Sequence, residues 1–166
     1  MYYFDVLKAL QSKQVRYLII GGLAVNLYGV PRLTQDIDLI ISTDRSNVLK
    51  IVSLLKDLGY VPRVPVDPED LADPAKVKDW TTNRNMKAFS FYHKKDAYKV
   101  VDIVLVHPLD FEVAFKNRTV KTVKDVEIFL ASLDDLLRTK KESGRPQDLS
   151  DIEMLKKVRK FLEGAR

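Results

Sequence analysis

Short apolar, β-rich runs alternate along this chain with stretches of helical periodicity, which predicts an α/β (α+β) fold. Two observations carry that reading. The runs VRYLII (15–20), DIDLII (36–41), AFSFYH (88–93), YKVVDIVLVH (98–107) and VEIFLA (126–131) have the length and composition of strands. Between them, and throughout the segment from about residue 132, apolar residues recur at helical spacing.

At 166 residues the chain has room for one domain with a real core and little room for two. The expectation is a single domain, 1–166, with a helical C-terminal extension from about 132. Cysteine is absent, which excludes disulfides, cysteine-ligated zinc and a thiol nucleophile. The N-terminal stretch MYYFDVLKALQSK carries Asp5 and Lys8, so it lacks the uninterrupted apolar core of a signal peptide. No apolar run approaches the roughly 20 residues of a membrane span. A cytoplasmic protein without membrane partners is expected. Net charge is +5, a mild excess that suits a polyanionic ligand such as a nucleotide or RNA without requiring one.

In chain order, Phe4, Leu7 and Leu10 mark an amphipathic helix over 3–13. The strand 15–20 runs into Gly21-Gly22, and 23–28 can continue as a helix. Gly29-Val30-Pro31 ends it, because proline disfavours helix in the preceding residue. A third helix opens near Asp44 and buries Val48, Ile51, Val52, Leu54, Leu55 and Leu58, with Gly59 at its end. A short strand follows at 60–64. The stretch 65–80 holds Pro65, Pro68 and Pro74 among the acids Asp67, Glu69, Asp70 and Asp73, and reads as a surface loop with one helical turn, placed to act as a lid. Lys94 to Ala97 reads as a hairpin turn between two strands. Ser132 caps a helix, Gly144 stops it and Pro146 starts the next.

Three features carry chemistry. Gly21 and Gly22 follow a buried strand, where the missing Cβ lets backbone approach a ligand such as phosphate closely; a plain strand-to-helix turn is the alternative. Asp36 and Asp38 sit two apart at the start of a strand, so both point to one face. Such a pair grips a hard cation and repels itself without one. The bland reading is one capping and one solvated aspartate, which fits poorly with the apolar residues around them. Asp102 lies inside KVVDIVLV, where an unpaired carboxylate is costly to bury. Its partner is either a metal shared with Asp36 and Asp38 or an arginine.

The ordered set Ile20-Gly21-Gly22, thirteen residues, Asp36-Ile37-Asp38-Leu39, then Val101-Asp102-Ile103 resembles the nucleotidyltransferase superfamily of DNA polymerase beta. The run RLTQDIDL, and Lys140, Gly144-Arg145, Asp148-Leu149 and Asp151 near the C-terminus, resemble its minimal members, the AbiEii-type toxins and their relatives. The resemblance spans nearly the whole chain. It implies a nucleotidyltransferase fold, with a small mixed sheet flanked by helices. It also implies transfer of a nucleoside monophosphate from a nucleoside triphosphate, ATP among the candidates, to an RNA or protein acceptor.

Asp36, Asp38 and Asp102 would then be both catalytic residues and metal ligands, for two Mg²⁺ ions or Mn²⁺ in their place. Gly21, Gly22, Arg32, Thr34, Lys140 and Arg145 would bind the nucleotide. Asp148 and Asp151 share a helix face; they fit a site role or pairing with Lys140 and Arg145. A toxin role would bring an antitoxin partner. The competing expectations are a non-catalytic nucleotide-binding protein of the same fold and a plain interaction domain. His93 and His107 are expected to be structural or solvated rather than catalytic, and Trp80 and Tyr92 to pack in the core or a loop rather than stack a base.

Overall fold

Strands that are apolar on every residue must be covered on both faces, and Tyr17–Ile20 is buried throughout. It lies inside a seven-stranded sheet in a computed structural model that describes residues 3–165. The chain runs α1 (Phe4–Ser12), β1 (Tyr17–Ile20), α2 (Gly21–Leu27), β2 (Asp36–Ile41), α3 (Arg45–Asp57) and β3 (Tyr60–Pro62). A 3-10 turn (Pro68–Ala72) leads to α4 (Pro74–Asn83), β4 (Ala88–His93) and β5 (Asp96–Val104). Then come α5 (Phe111–Lys116), β6 (Thr119–Val123), β7 (Val126–Leu130), α6 (Leu133–Ser143) and α7 (Pro146–Gly164).

The strand order is β3-β4-β5-β2-β1-β7-β6. The pairs β2–β5 and β1–β7 are parallel; the other four are antiparallel. The sheet is therefore mixed, as the resemblance implied. Strand alternation sorts the faces of β2, β4 and β5. Ile37, Leu39, Phe89, Phe91, Val101 and Ile103 are sealed in the core. Asp36, Asp38, Ser90 and Asp102 sit on the opposite face and are half-buried. The sealed face packs against α4 through Trp80, whose ring lies 5.4 Å from Phe89. Trp80 is thus a core residue, as expected.

Several boundaries differ from the sequence expectation. The helix after β1 starts at Gly21 itself, so both glycines belong to its first turn. The stretch 65–80 is no open loop. Asp67 accepts a hydrogen bond from the Glu69 amide at 3.0 Å, and Asp73 accepts one from the Ala75 amide at 2.9 Å. Both aspartates are caps, with Pro68 and Pro74 in the first turns behind them. Proline starts a helix there because its missing N–H has no intrahelical partner at that position. Burial of Leu71, Ala72 and Trp80 anchors the segment in the core. Residues 108–125 carried no element expectation, yet they form α5, capped by Asp110, and the outer strand of the β6–β7 hairpin.

Leu39 lies on the sealed face and is fully buried. Leu39→Ala is expected to lower unfolding stability by about 2–5 kcal/mol, the cost of lost burial plus a cavity. Urea denaturation should show a lower midpoint with an unchanged slope.

Candidate functional site

The site begins with register. Asp38 pairs with Asp102 across the parallel β2–β5 ladder, and Asp36 pairs with Val100. Directly paired residues share a face, and so do residues two apart in a strand. Asp36, Asp38 and Asp102 therefore stand together on one side of the sheet, although 64 positions separate the second from the third.

The glycines are fitted to this group. Gly21 has φ +67°, and a Cβ added there would lie 1.9 Å from the Asp38 Oδ2 atom. No side chain of any kind fits, because the Asp38 carboxylate occupies that space. A Cβ on Gly22 would meet Thr34 Oγ1 at 2.7 Å and the Arg32 guanidinium carbon at 3.1 Å. The Gly-Gly pair thus packs directly against Asp38, Thr34 and Arg32. The loop between them is pinned from three sides. The Arg32 amide donates to Asn26 Oδ1 at 2.9 Å, and the Tyr3 hydroxyl donates to the Thr34 carbonyl at 2.9 Å. The Arg32 guanidinium forms an ion pair with Asp151.

The C-terminal helices deliver charge to the same place. Lys140 Nζ donates to Asp148 at 2.9 Å and to Asp151 at 2.7 Å, and all three side chains are buried. Arg145 binds the other Asp148 oxygen through Nε at 3.0 Å and through its amide at 3.2 Å. Burial alone would push the Asp148 carboxyl up, but the hydrogen bonds from Arg145 and Lys140 hold it well below the usual carboxylate range. Lys140, expected at the nucleotide, has its ammonium engaged by two protein carboxylates. Arg145 keeps an exposed side chain.

Asp38 and Asp102 are shifted in the opposite sense. Burial, then the charges of Asp102 and Asp36, push the Asp38 carboxyl up to about 6, against the opposing pull of Lys140 and Arg145. Asp102 is also raised, chiefly by burial; Ser90 hydrogen bonding and the Arg63 charge oppose this, and Asp36 adds to it. Asp102 Oδ1 is buried with no hydrogen-bond partner. A bare carboxylate oxygen beside further carboxylates is a donor set suited to a hard divalent cation. The acids do not form a closed cage: among the described residues, no group of three or more His, Cys, Asp or Glu is arranged to hold a metal ion. Magnesium commonly takes only one or two carboxylates and completes its shell with water and phosphate, so an open arrangement fits it.

Two residues near the acids were not singled out from sequence. Ser90 faces Asp102 across the β4–β5 ladder, and the Arg63 amide donates to the Ser90 carbonyl at 2.9 Å. A serine in the alternating run AFSFYH was the available signal for the first. The two histidines have local partners: His93 packs edge-on to Tyr60, and His107 accepts from the Leu109 amide at 3.3 Å.

Two outcomes follow for stability. Asp38 ionises near pH 6 in the fold and near 3.8 when unfolded, so without metal it destabilises the fold progressively as pH rises from about 4 to about 6. Asp38→Asn is expected to stabilise the metal-free protein by about 1–3 kcal/mol at pH 8 and not at pH 4, read by urea unfolding at both. Lys140→Ala would leave two buried carboxylates short of a counterion and is expected to cost about 3–5 kcal/mol. A drop in melting temperature no larger than that of an exposed-lysine control would contradict the buried pairing.

Over residues 4–160 the chain matches the family described as nucleotidyltransferase of unknown function, DUF6036. Solved structures share the fold at low identity. The lincosamide antibiotic adenylyltransferase LnuA, bound to lincomycin, is 23% identical with a TM-score of 0.62, covering 95% of this chain and 96% of that one. ANT(2'')-Ia in complex with adenylyl-2''-tobramycin is 11% identical with a TM-score of 0.52, covering 98% and 95%. An antigenic nucleotidyltransferase-like protein from Paracoccidioides brasiliensis is 20% identical with a TM-score of 0.52, covering 90% and 71%. No curated protein sequence matches significantly. No helix among the described residues is long and apolar enough to cross a membrane. The chain has the nucleotidyltransferase fold and belongs to the nucleotidyltransferase family of unknown function DUF6036.

Proposed function

We propose that this protein is a divalent-metal-dependent enzyme that moves a nucleoside monophosphate from a nucleoside triphosphate, ATP among the candidates, to an acceptor hydroxyl. The observation that carries the reading is the in-register pairing of Asp38 with Asp102 beside a glycine whose missing side chain makes room for the Asp38 carboxylate. Three acids on one face, one oxygen of them unpartnered, make an expensive arrangement for a purely structural role. That cost also weighs against a plain interaction domain.

Asp36, Asp38 and Asp102 would hold Mg²⁺, as one or two ions, with Mn²⁺ the alternative. Bound there, the metal would supply charge stabilisation for the attacking and leaving oxygens. The acceptor oxygen bonds to the α-phosphorus, the bond to the bridging oxygen breaks, and pyrophosphate departs with the electron pair. Asp102 would ligate the metal and take the hydroxyl proton. Gly21 and Gly22, whose Cβ positions are filled by Asp38, Thr34 and Arg32, would meet the triphosphate through their backbone amides. Thr34 and Arg32 border Gly22 and would contact phosphate oxygens. Arg145 reaches the nucleotide with its exposed guanidinium. Lys140 contributes as a buried counterion that holds α6, α7 and the Arg32 partner Asp151 in place.

The acceptor implied by the AbiEii-like motifs is an RNA or protein hydroxyl in the cytoplasm, with an antitoxin partner if the protein is a toxin. A second reading, a small hydroxylated molecule, is favoured by the fold neighbours solved with lincomycin and adenylyl-tobramycin. In either case the α-phosphate of a labelled triphosphate is expected in product only when Mg²⁺ or Mn²⁺ is present. Asp38→Asn should abolish transfer while remaining folded. Wild-type protein that binds no triphosphate with any divalent ion would overturn the enzyme reading. Binding without turnover on bulk RNA, protein extract and small hydroxyl compounds would leave a non-catalytic nucleotide-binding protein.

A further inference from the structure

The sheet face carrying the acids continues beyond them. Following the ladders outward, Asp38 pairs with Asp102 and Asp102 with Ser90. Pro62 pairs with Phe91, and the next antiparallel step sets Arg63 opposite Ser90, joined by the 2.9 Å backbone bond. Asp38, Asp102, Ser90 and Arg63 therefore form one row across four strands. The neighbouring row is Asp36, Val100, Tyr92 and Val61. On β4 and β5, Ala88, Ser90, Tyr92, Asp102 and Val104 of this face are only partly covered, whereas the opposite face is sealed.

Arg63 is the cation of this face. Its side chain is exposed and enters no ion pair within 4 Å among the described residues. Arg32 is paired with Asp151, and Arg145 binds Asp148 through Nε. An uncommitted guanidinium, two strands from the proton-accepting oxygen, recognises an oxyanion bidentately. Its backbone lies about 10 Å from that of Asp102, two strand spacings, a distance a small molecule spans. A nucleic-acid strand would need several phosphate contacts. The register positions of this face offer a single cation.

Resting on the transferase reading above, we infer that this open face, Arg63–Ser90–Tyr92 beside Asp102, is the acceptor site, and that Arg63 selects a small hydroxyl compound carrying one oxyanion group. The acceptor places its hydroxyl at Asp102 and its phosphate or carboxylate at Arg63, and packs its carbon skeleton on Tyr92. A polycationic acceptor is disfavoured by the same charge. The reaction balance is unchanged: the hydroxyl oxygen gains the phosphorus, pyrophosphate leaves, and the proton passes to Asp102.

The test uses matched probes with full-length protein: glycerol against glycerol 3-phosphate and glyceric acid, and ribose against ribose 5-phosphate. Transfer of α-labelled nucleotide is measured with Mg²⁺, with bulk RNA as a further arm. The oxyanion-bearing probes are expected to exceed their neutral partners at least 10-fold in kcat/KM. The phosphate and carboxylate arms show which oxyanion is preferred. Arg63→Gln should reduce that ratio below 3, and Arg63→Lys should restore part of it. Independently of turnover, glycerol 3-phosphate or glyceric acid should shift the Ser90 and Arg63 backbone amides in a ¹⁵N spectrum, and Arg63→Gln should remove the shift. Equal use of neutral and anionic probes, a preference that survives Arg63→Gln, or stronger labelling of RNA than of every small probe overturns the inference and leaves the transferase reading standing. If nothing is labelled, the amide shifts alone decide, and their absence overturns it.

Discussion

The structure depends on an electrostatic conflict held in place by strand register. Two aspartates on adjacent parallel strands face each other, with a third one step along, and burial makes their shared charge costly. Everything around them either tolerates that charge or offsets it. Gly21 yields the volume that the Asp38 carboxylate occupies. Lys140 and Arg145 lower the energy of the Asp38 anion from the helical side. Ser90 and Arg63 do the same for Asp102 from the sheet side. The protein thus carries a local concentration of negative charge that a divalent cation is suited to relieve.

The C-terminal helices matter through the buried cluster of Lys140, Asp148 and Asp151, extended by Arg32 and Arg145. Three cations share two carboxylates, so one positive charge is left over beside the acids on the sheet. The same cluster ties the loop before β2 to α7. A buried network of this kind is weak evidence for stability in general, because desolvation offsets most of its attraction. Here it has a geometric consequence: Arg32 is held where it also borders Gly22, so the motif residues of the first 40 positions and the last 30 share one framework.

Much of the site was legible in the sequence, for local reasons. Period-two alternation put Asp36 and Asp38 on one face before any partner was known. The isolation of Asp102 among β-branched residues marked it as needing compensation. Other features were not legible. Pro68 and Pro74 looked like breaks in a loop, and only the capping bonds of Asp67 and Asp73 show that they begin helices. Lys140 looked available to a phosphate, and only packing of α6 on α7 encloses it between two acids. Ser90 could have been placed opposite Asp102 only by fixing the register of the β4–β5 hairpin, and Arg63 had no sequence pattern linking it to Asp102, because β3 reaches β4 across the intervening segment 63–87.

The residues alone determined the alternation of strands and helices, the glycine pair, the identity of the three acids and the polarity of each strand face, since all of these follow from neighbours within a few positions. Tertiary structure alone decided that Asp38 stands level with Asp102, that Gly21 must remain without a side chain, and that the face beyond Asp102 stays open with Arg63 at its rim. Those facts depend on register between strands distant in sequence. One residue of slip would have turned the third acid to the opposite face.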